Sequence, residues 1–193
     1  MSLITTVNSL LEDKSLLGWL WKPYQVVSLL YVAIPFKRSN EFSISWPKVT
    51  SWLEALRSSG EGEMPVGAAG FCWGGKHTIN LCHGTKSTKG VNLIDAGFTA
   101  HPSNLEIPAE LEKVKLPLAI AHAEKDMSLS PAKFEQITKA LEELRGEGVK
   151  SECRVYGGAT HGFAVRADER KDEKKQAAAA EEQAVEWFQK HFA

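Results

Sequence analysis

The sequence has too few cysteines for a disulfide framework. Cys72, Cys82 and Cys153 are scattered through 193 residues, which excludes a small disulfide-held secreted scaffold and predicts a reducing, cytoplasmic setting in which a free thiol persists. There is no excess charge of either sign. The formal net charge is -1, and without a broad basic field nucleic acid is not an expected partner. No apolar run is long enough to span a bilayer. Residues 16–36 are rich in Leu, Val, Trp and Tyr, but Lys22-Pro23 interrupts them, and what remains falls short of the roughly 20 apolar residues that a spanning helix needs. Residues 1–11 have no basic opening and run into Glu12-Asp13, which does not fit a secretory leader. Neither a phosphate loop nor a dinucleotide fingerprint occurs, so no cofactor is expected. Cys82-His83 lacks the further ligands of a zinc site, so no metal is expected.

The composition is that of an ordinary globular chain, with 43% hydrophobic and 24% charged residues. The length suits one domain with a core of its own. From residue 46 onward strands and helices alternate. Ser45-Trp46-Pro47 reads as a cap and an early proline opening a helix whose apolar face is Val49, Trp52, Leu53 and Leu56. Strands are predicted at 66–71, within 91–99, at 117–123 and around 153–156, the last ended by Gly157-Gly158. Helices are predicted after Gly75, after Ser130-Pro131, and over about 174–192. The mixed-sign run at 168–175 reads as a solvated loop entering the last helix. Such alternation implies a parallel sheet with right-handed crossovers, and ligands in such sheets bind beyond the strand C-terminal ends.

One segment carries most of the chemistry. Gly70-Phe71-Cys72-Trp73-Gly74-Gly75 follows a small-residue strand and precedes a helix, the setting of a nucleophile elbow. A cysteine at its apex points to covalent catalysis by a thiolate. The N-terminus of the following helix would favour that thiolate. Asp126 and His161 each lie just past a strand end, so folding gathers them on the rim that holds Cys72. The order Cys72, Asp126, His161 is the nucleophile–acid–histidine order of α/β-hydrolases, and the Trp73 N–H is the expected first oxyanion donor. Each residue also has a plainer reading. A cysteine at an apolar junction is often a small core residue, and an aspartate at a strand end is often a turn residue. Glu124 is a rival for the acid. His101 ends a strand, where both a structural and a rim-lining role fit. His77, His83, His122 and His191 read as packed or solvated, and Cys82 and Cys153 as core.

Three segments together, Gly70-Phe71-Cys72-Trp73-Gly74-Gly75-Lys76, Ala96-Gly97-Phe98-Thr99-Ala100-His101-Pro102 and Thr160-His161-Gly162-Phe163-Ala164-Val165-Arg166, resemble the dienelactone hydrolase family. The resemblance covers residues 46–193 and is closest to fungal-type members. It implies an α/β-hydrolase fold, a parallel-rich sheet flanked by helices. It also implies a Cys72–Asp126–His161 triad and hydrolysis of a small-molecule ester or lactone such as dienelactone. An arginine near the histidine holds the substrate carboxylate in this family. Arg166 is the candidate here, one position further on than in bacterial-type members, with His101 as a second substrate-lining candidate. Family members begin with several strands that carry the second oxyanion donor. Residues 1–45 resemble none of these and read as an atypical helical segment of a single domain, 1–193, whose hydrolase core is N-terminally incomplete. An incomplete sheet leaves a bare edge, so self-association is the expected alternative to catalysis. Trp19, Trp21, Tyr24 and Tyr31 are candidates to cover such a surface.

Overall fold

The computed structural model describes residues 16–59, 63–166 and 173–192. Residues 1–15, the side chains of Trp19 and Trp21, and positions 168–172 of the charge run lie outside them. The chain falls into two compact units, Met1–Val49 and Thr50–Ala193.

The first unit contains helix α1 (Leu16–Ser39), with Pro23 and Pro35 inside it and Lys37 and Arg38 in its last turn. Cations at that end complement the helix dipole. Among the described residues, no helix is long and apolar enough to cross a membrane. Helix α2 (Phe42–Ser58) begins three residues before the Ser45 that the sequence marked as its cap. The Ser45 hydroxyl donates back to the Glu41 carbonyl at 3.1 Å. A serine can satisfy itself this way inside a helix, so it need not mark the start.

In the second unit, α2 buries Leu53 but leaves Trp52 exposed. Arg57 takes the inward position instead. Its guanidinium pairs with Asp95 at 2.6 Å and donates to the Leu93 and Met64 carbonyls. That fixes the C-terminal end of the helix to the approach of a sheet strand.

Four strands form one parallel sheet in the order β1 (Gly67–Phe71), β2 (Ala96–Ala100), β3 (Leu118–Lys125) and β4 (Ser151–Thr160). The connections contain α3 (Trp73–Leu81) between β1 and β2 and α4 (Pro131–Gly146) between β3 and β4, and α5 (Glu173–Phe192) follows β4. All of β2 and the first six residues of β3 are buried, as expected of strands covered on both faces. Alanines 100, 119, 121 and 123 form the floor on which Ala180 and Trp187 of α5 pack, with Phe98, Tyr156 and Phe163. Such small side chains let a helix approach the sheet closely. Ser130 caps α4 by accepting from the Lys133 N–H, and Pro131 occupies its first turn.

Gly157-Gly158 does not end β4. The ladder runs on from Ala123↔Tyr156 to Lys125↔Thr160 across an irregularity. Gly158 has a φ of 74°, and its N–H donates to the Glu124 carboxylate at 2.7 Å. Glycine supplies the backbone freedom that such a bulge requires. The added length has a direct consequence. Because Lys125 and Thr160 are partners, the next residues, Asp126 and His161, emerge side by side.

Candidate active site

Cys72 is the single residue between the end of β1 and the start of α3. Its φ of 52° and ψ of -119° are unusual for an L-residue and store strain at the apex. Three backbone bonds hold it there. Its N–H donates to Ala100 at 3.2 Å, and its carbonyl accepts from Gly75 and Ser103, both at 3.0 Å. The surrounding glycines differ in what they do. A Cβ on Gly70 would strike the Thr78 side chain and the Gly74 backbone, and one on Gly75 would lie 2.5 Å from the Thr99 hydroxyl and 2.6 Å from Pro102. Nothing lies within 4 Å of a Cβ on Gly74. Gly75→Ala is therefore expected to destabilise the fold by about 1–3 kcal/mol through overpacking. Gly74→Ala is expected to range from neutral to about 1 kcal/mol stabilising, as in other helical positions. Urea denaturation midpoints of the two variants check this.

His161 follows β4 directly, and its ring lies between the other two groups. Its Nε2 is 3.0 Å from Cys72 Sγ. Its Nδ1 is 2.8 Å from Asp126 Oδ1 and 3.0 Å from Oδ2. Ser128 supports the acid, donating its N–H to Asp126 Oδ1 at 2.8 Å, and its hydroxyl lies 3.3 Å from His161 Nδ1. On the other side Glu173, almost wholly buried, accepts both the N–H and the hydroxyl of Thr160 at 2.7 Å. The residue before the histidine is thereby pinned. The sequence reading placed Glu173 within a solvated charge run, but its two-fold acceptor role draws it inside.

The electrostatics follow from these contacts. The Cys72 thiol sits below its usual value. The His161 hydrogen bond outweighs burial, and the His161 charge, the Ser103 hydroxyl and the Trp73 backbone N–H act in the same direction. Burial pulls His161 down, but the hydrogen bonds and charges of Asp126 and Cys72 together raise it to about 9. Burial opposes ionisation of Asp126, yet the His161 and Ser128 bonds bring it below the ordinary carboxylate value. The other two thiols behave oppositely. Burial pushes Cys153 up to about 12 and Cys82 higher still; Cys82 is the core residue expected, whereas Cys153 is only half-buried.

The remaining candidates fall in different places. Glu124 is occupied by the Gly158 N–H, whereas Asp126 meets His161. Arg166 is exposed, and its N–H donates to Gly162; its charge is felt at His101. His101, for which both a structural and a rim-lining role fitted, is fully buried. Its backbone turns through a φ of 40°, and its ring packs edge-on to His161 at 5.0 Å and to Phe163 at 5.7 Å. Burial, then the neighbouring His161 charge, pushes it down to about 4, so it is a neutral ring beneath the site rather than a contact on its surface. His77 packs on Trp73, His122 stacks on Phe134, and His83 Nε2 lies 2.7 Å from the Glu110 carbonyl. Nothing in the sequence singles out Ser103, just past the Ala96–Pro102 segment, Ser128 or Glu173; the fold brings them here.

A parallel sheet, a strand–helix elbow with an outward side chain, and an acid and a histidine supplied by later strand ends define an α/β-hydrolase fold. The chain belongs to the dienelactone hydrolase family, whose profile matches residues 45–192. It is 36% identical over 147 residues to hydrolase tropI of Talaromyces stipitatus, covering 76% of this chain and 53% of that one. To hydrolase pyvD of Aspergillus violaceofuscus it is 31% identical over 147 residues, covering 76% and 55%. The chain spans about half the length of these curated relatives. Among solved structures, a dienelactone hydrolase-like promiscuous phosphotriesterase from metagenomic libraries superposes with a TM-score of 0.62 at 18% identity, over 85% of this chain and 68% of that one. The dienelactone hydrolase of Anabaena variabilis gives 0.60 at 16% identity, over 89% and 69%. These likenesses establish the fold.

Proposed function

We propose that this chain is a cofactor-independent hydrolase that cleaves an ester or lactone through a thioester on Cys72. The observation that carries this reading is the His161 ring, 3.0 Å from the sulfur and 2.8 Å from a carboxylate. Proton transfer requires such hydrogen-bond reach. Membership of a family of hydrolases supports the same reaction class.

The Cys72 thiolate attacks the carbonyl carbon, forming the C–S bond as the carbonyl electron pair moves onto oxygen. The Trp73 N–H, first after the nucleophile, donates to that oxyanion. Collapse of the intermediate breaks the C–O bond, and the departing alkoxide takes the proton from His161 Nε2. Asp126 holds the ring in the tautomer that presents Nε2 and stabilises its charged form. Neutral His161 then takes a proton from water, whose oxygen attacks the thioester. The second collapse releases the acid and returns the thiolate. A lactone follows the same course, except that the alkoxide stays attached to the acyl chain.

The pH dependence tests this reading. The reactive form is the thiolate–imidazolium pair, which exists between the lowered thiol value and the raised histidine value. Below the first, sulfur regains its proton and loses nucleophilicity; above the second, His161 has no proton for the leaving group. The expected profile of kcat/KM for an unactivated alkyl ester, whose alkoxide needs that proton, is a bell, with an alkaline limb near 9 and an acid limb below that of an ordinary thiol. A rate that climbs steadily through the alkaline range, as for an unassisted thiol, contradicts the pairing.

A further inference from the structure

Besides the His161 ring, Cys72 has a hydroxyl neighbour. Ser103 lies three residues beyond the end of β2 and is largely buried, with 8% of its surface exposed. Its N–H donates to the Cys72 carbonyl at 3.0 Å, so the two backbones are locked together. Its Oγ is 3.7 Å from Cys72 Sγ, a normal reach for a bond to sulfur. The preceding Pro102 packs where Gly75 lacks a side chain, which fixes the loop against α3. This serine therefore reaches the sulfur from a position that the glycine pattern itself creates.

We propose that the Ser103 hydroxyl donates to the Cys72 thiolate and shares its charge with His161, a role that rests on reading Cys72 as the nucleophile. A thiolate has no proton to give, so the hydroxyl must be the donor once sulfur is ionised. Hydrogen bonds to the charged form of a group favour that form. The charges around the sulfur leave room for such a donor. His161 faces it from the end of β4, backed by Asp126 from the end of β3. His101, from the end of β2, is a neutral ring against His161. Lys76 of α3 is engaged with Glu106 and Glu110, and Arg166 is exposed beyond the histidine turn. His161 remains the larger influence and Ser103 the smaller one.

The bond matters twice in the cycle. At rest it raises the fraction of sulfur that is ionised. In the second half-reaction the C–S bond breaks and its electron pair returns to sulfur, so a donor already aimed at sulfur stabilises the leaving thiolate. During the thioester stage sulfur carries no charge and the hydroxyl has little to hold. Loss of the hydroxyl should therefore slow release of the acyl group more than its formation.

The experiment is alkylation of Cys72 by iodoacetamide across pH, followed by peptide mass and by thiolate absorbance. Cys82 is buried and Cys153 half-buried, and burial pushes both thiols up, so peptide mapping reads the Cys72 adduct apart from any on Cys153. Ser103→Ala is expected to raise the midpoint by about one pH unit, which is roughly tenfold slower alkylation below it. Ser103→Thr, which keeps the hydroxyl, should stay within a few tenths of a unit of the parent. Near-UV circular dichroism monitors both folds, and Ser103→Gly gives a second chain without the hydroxyl. Superimposed profiles for the parent, Ala and Gly chains overturn the proposal. So does an equal shift in the Thr and Ala chains, which would signal packing alone. The titration uses no ester. A chain whose fully alkylated form still hydrolyses esters would refute the reading of Cys72 as the nucleophile while leaving the serine result intact.

Discussion

Cys72→Ala is expected to cut the turnover of an activated aryl ester by roughly 10⁴- to 10⁶-fold, the scale seen when a covalent nucleophile is removed. The thermal midpoint should change little. Alanine and cysteine meet the same backbone penalty at a φ of 52°, and the sulfur is only partly buried. Hydrolysis by the variant would then rest on binding and the Trp73 donor alone. The measurement is steady-state hydrolysis of a p-nitrophenyl ester beside a circular-dichroism melt. Activity within tenfold of the parent, in a chain that melts normally, would remove Cys72 from the mechanism.

The second large effect is expected at Asp126. Asp126→Asn keeps the size of the side chain but exchanges an acceptor-only group for one that also donates. His161 Nδ1 now faces the carboxylate at 2.8 Å. An amide there no longer holds the ring in the useful tautomer, and a loss of roughly 10⁴-fold in kcat follows by analogy with serine hydrolases. The direction of the pH effect is fixed as well. The carboxylate helps raise His161 to about 9, so its loss moves the alkaline limb down, and the less positive ring lets the thiol rise. Glu124→Gln is the control. Its carboxylate accepts the Gly158 N–H, and its substitution should cost less than tenfold. Comparable losses in both variants would mean that the bulge of β4, rather than the hydrogen bond to His161, governs the rate.

Local chemistry explains which parts of the molecule were readable from sequence. The elbow was legible because every requirement lies within nine residues, 67–75: a small-residue strand, glycines where chains meet, and a cysteine between them. The Ser130-Pro131 start of α4 was legible for the same reason. Gly157-Gly158 misled because glycine signals both a strand end and a bulge, and only the Glu124 contact 34 residues away distinguishes them. Ser45 misled because a hydroxyl can bond forward as a cap or backward inside a helix. The position of His101 after β2 was correct, but the direction of its ring depends on one positive φ, which no spacing encodes. Ser103, Ser128 and Glu173 were invisible: Ser103 reaches Cys72 through the β1–β2 register, Ser128 folds back on Asp126 in a tight turn, and Glu173 meets Thr160 only once α5 starts against β4. Sequence thus pointed to the residues that the structure brings together at Cys72, while Ser103, Ser128 and Glu173 required the folded chain.

The most direct test is the mass of the protein during turnover. Mixed with an activated aryl ester and quenched in acid within the first cycles, the chain should gain one acyl group. Peptide mapping should place that group on the peptide containing Cys72, and hydroxylamine should remove it as expected of a thioester. Ester hydrolysis with no acyl group on Cys72 under these conditions, or with the group on another residue, contradicts the account.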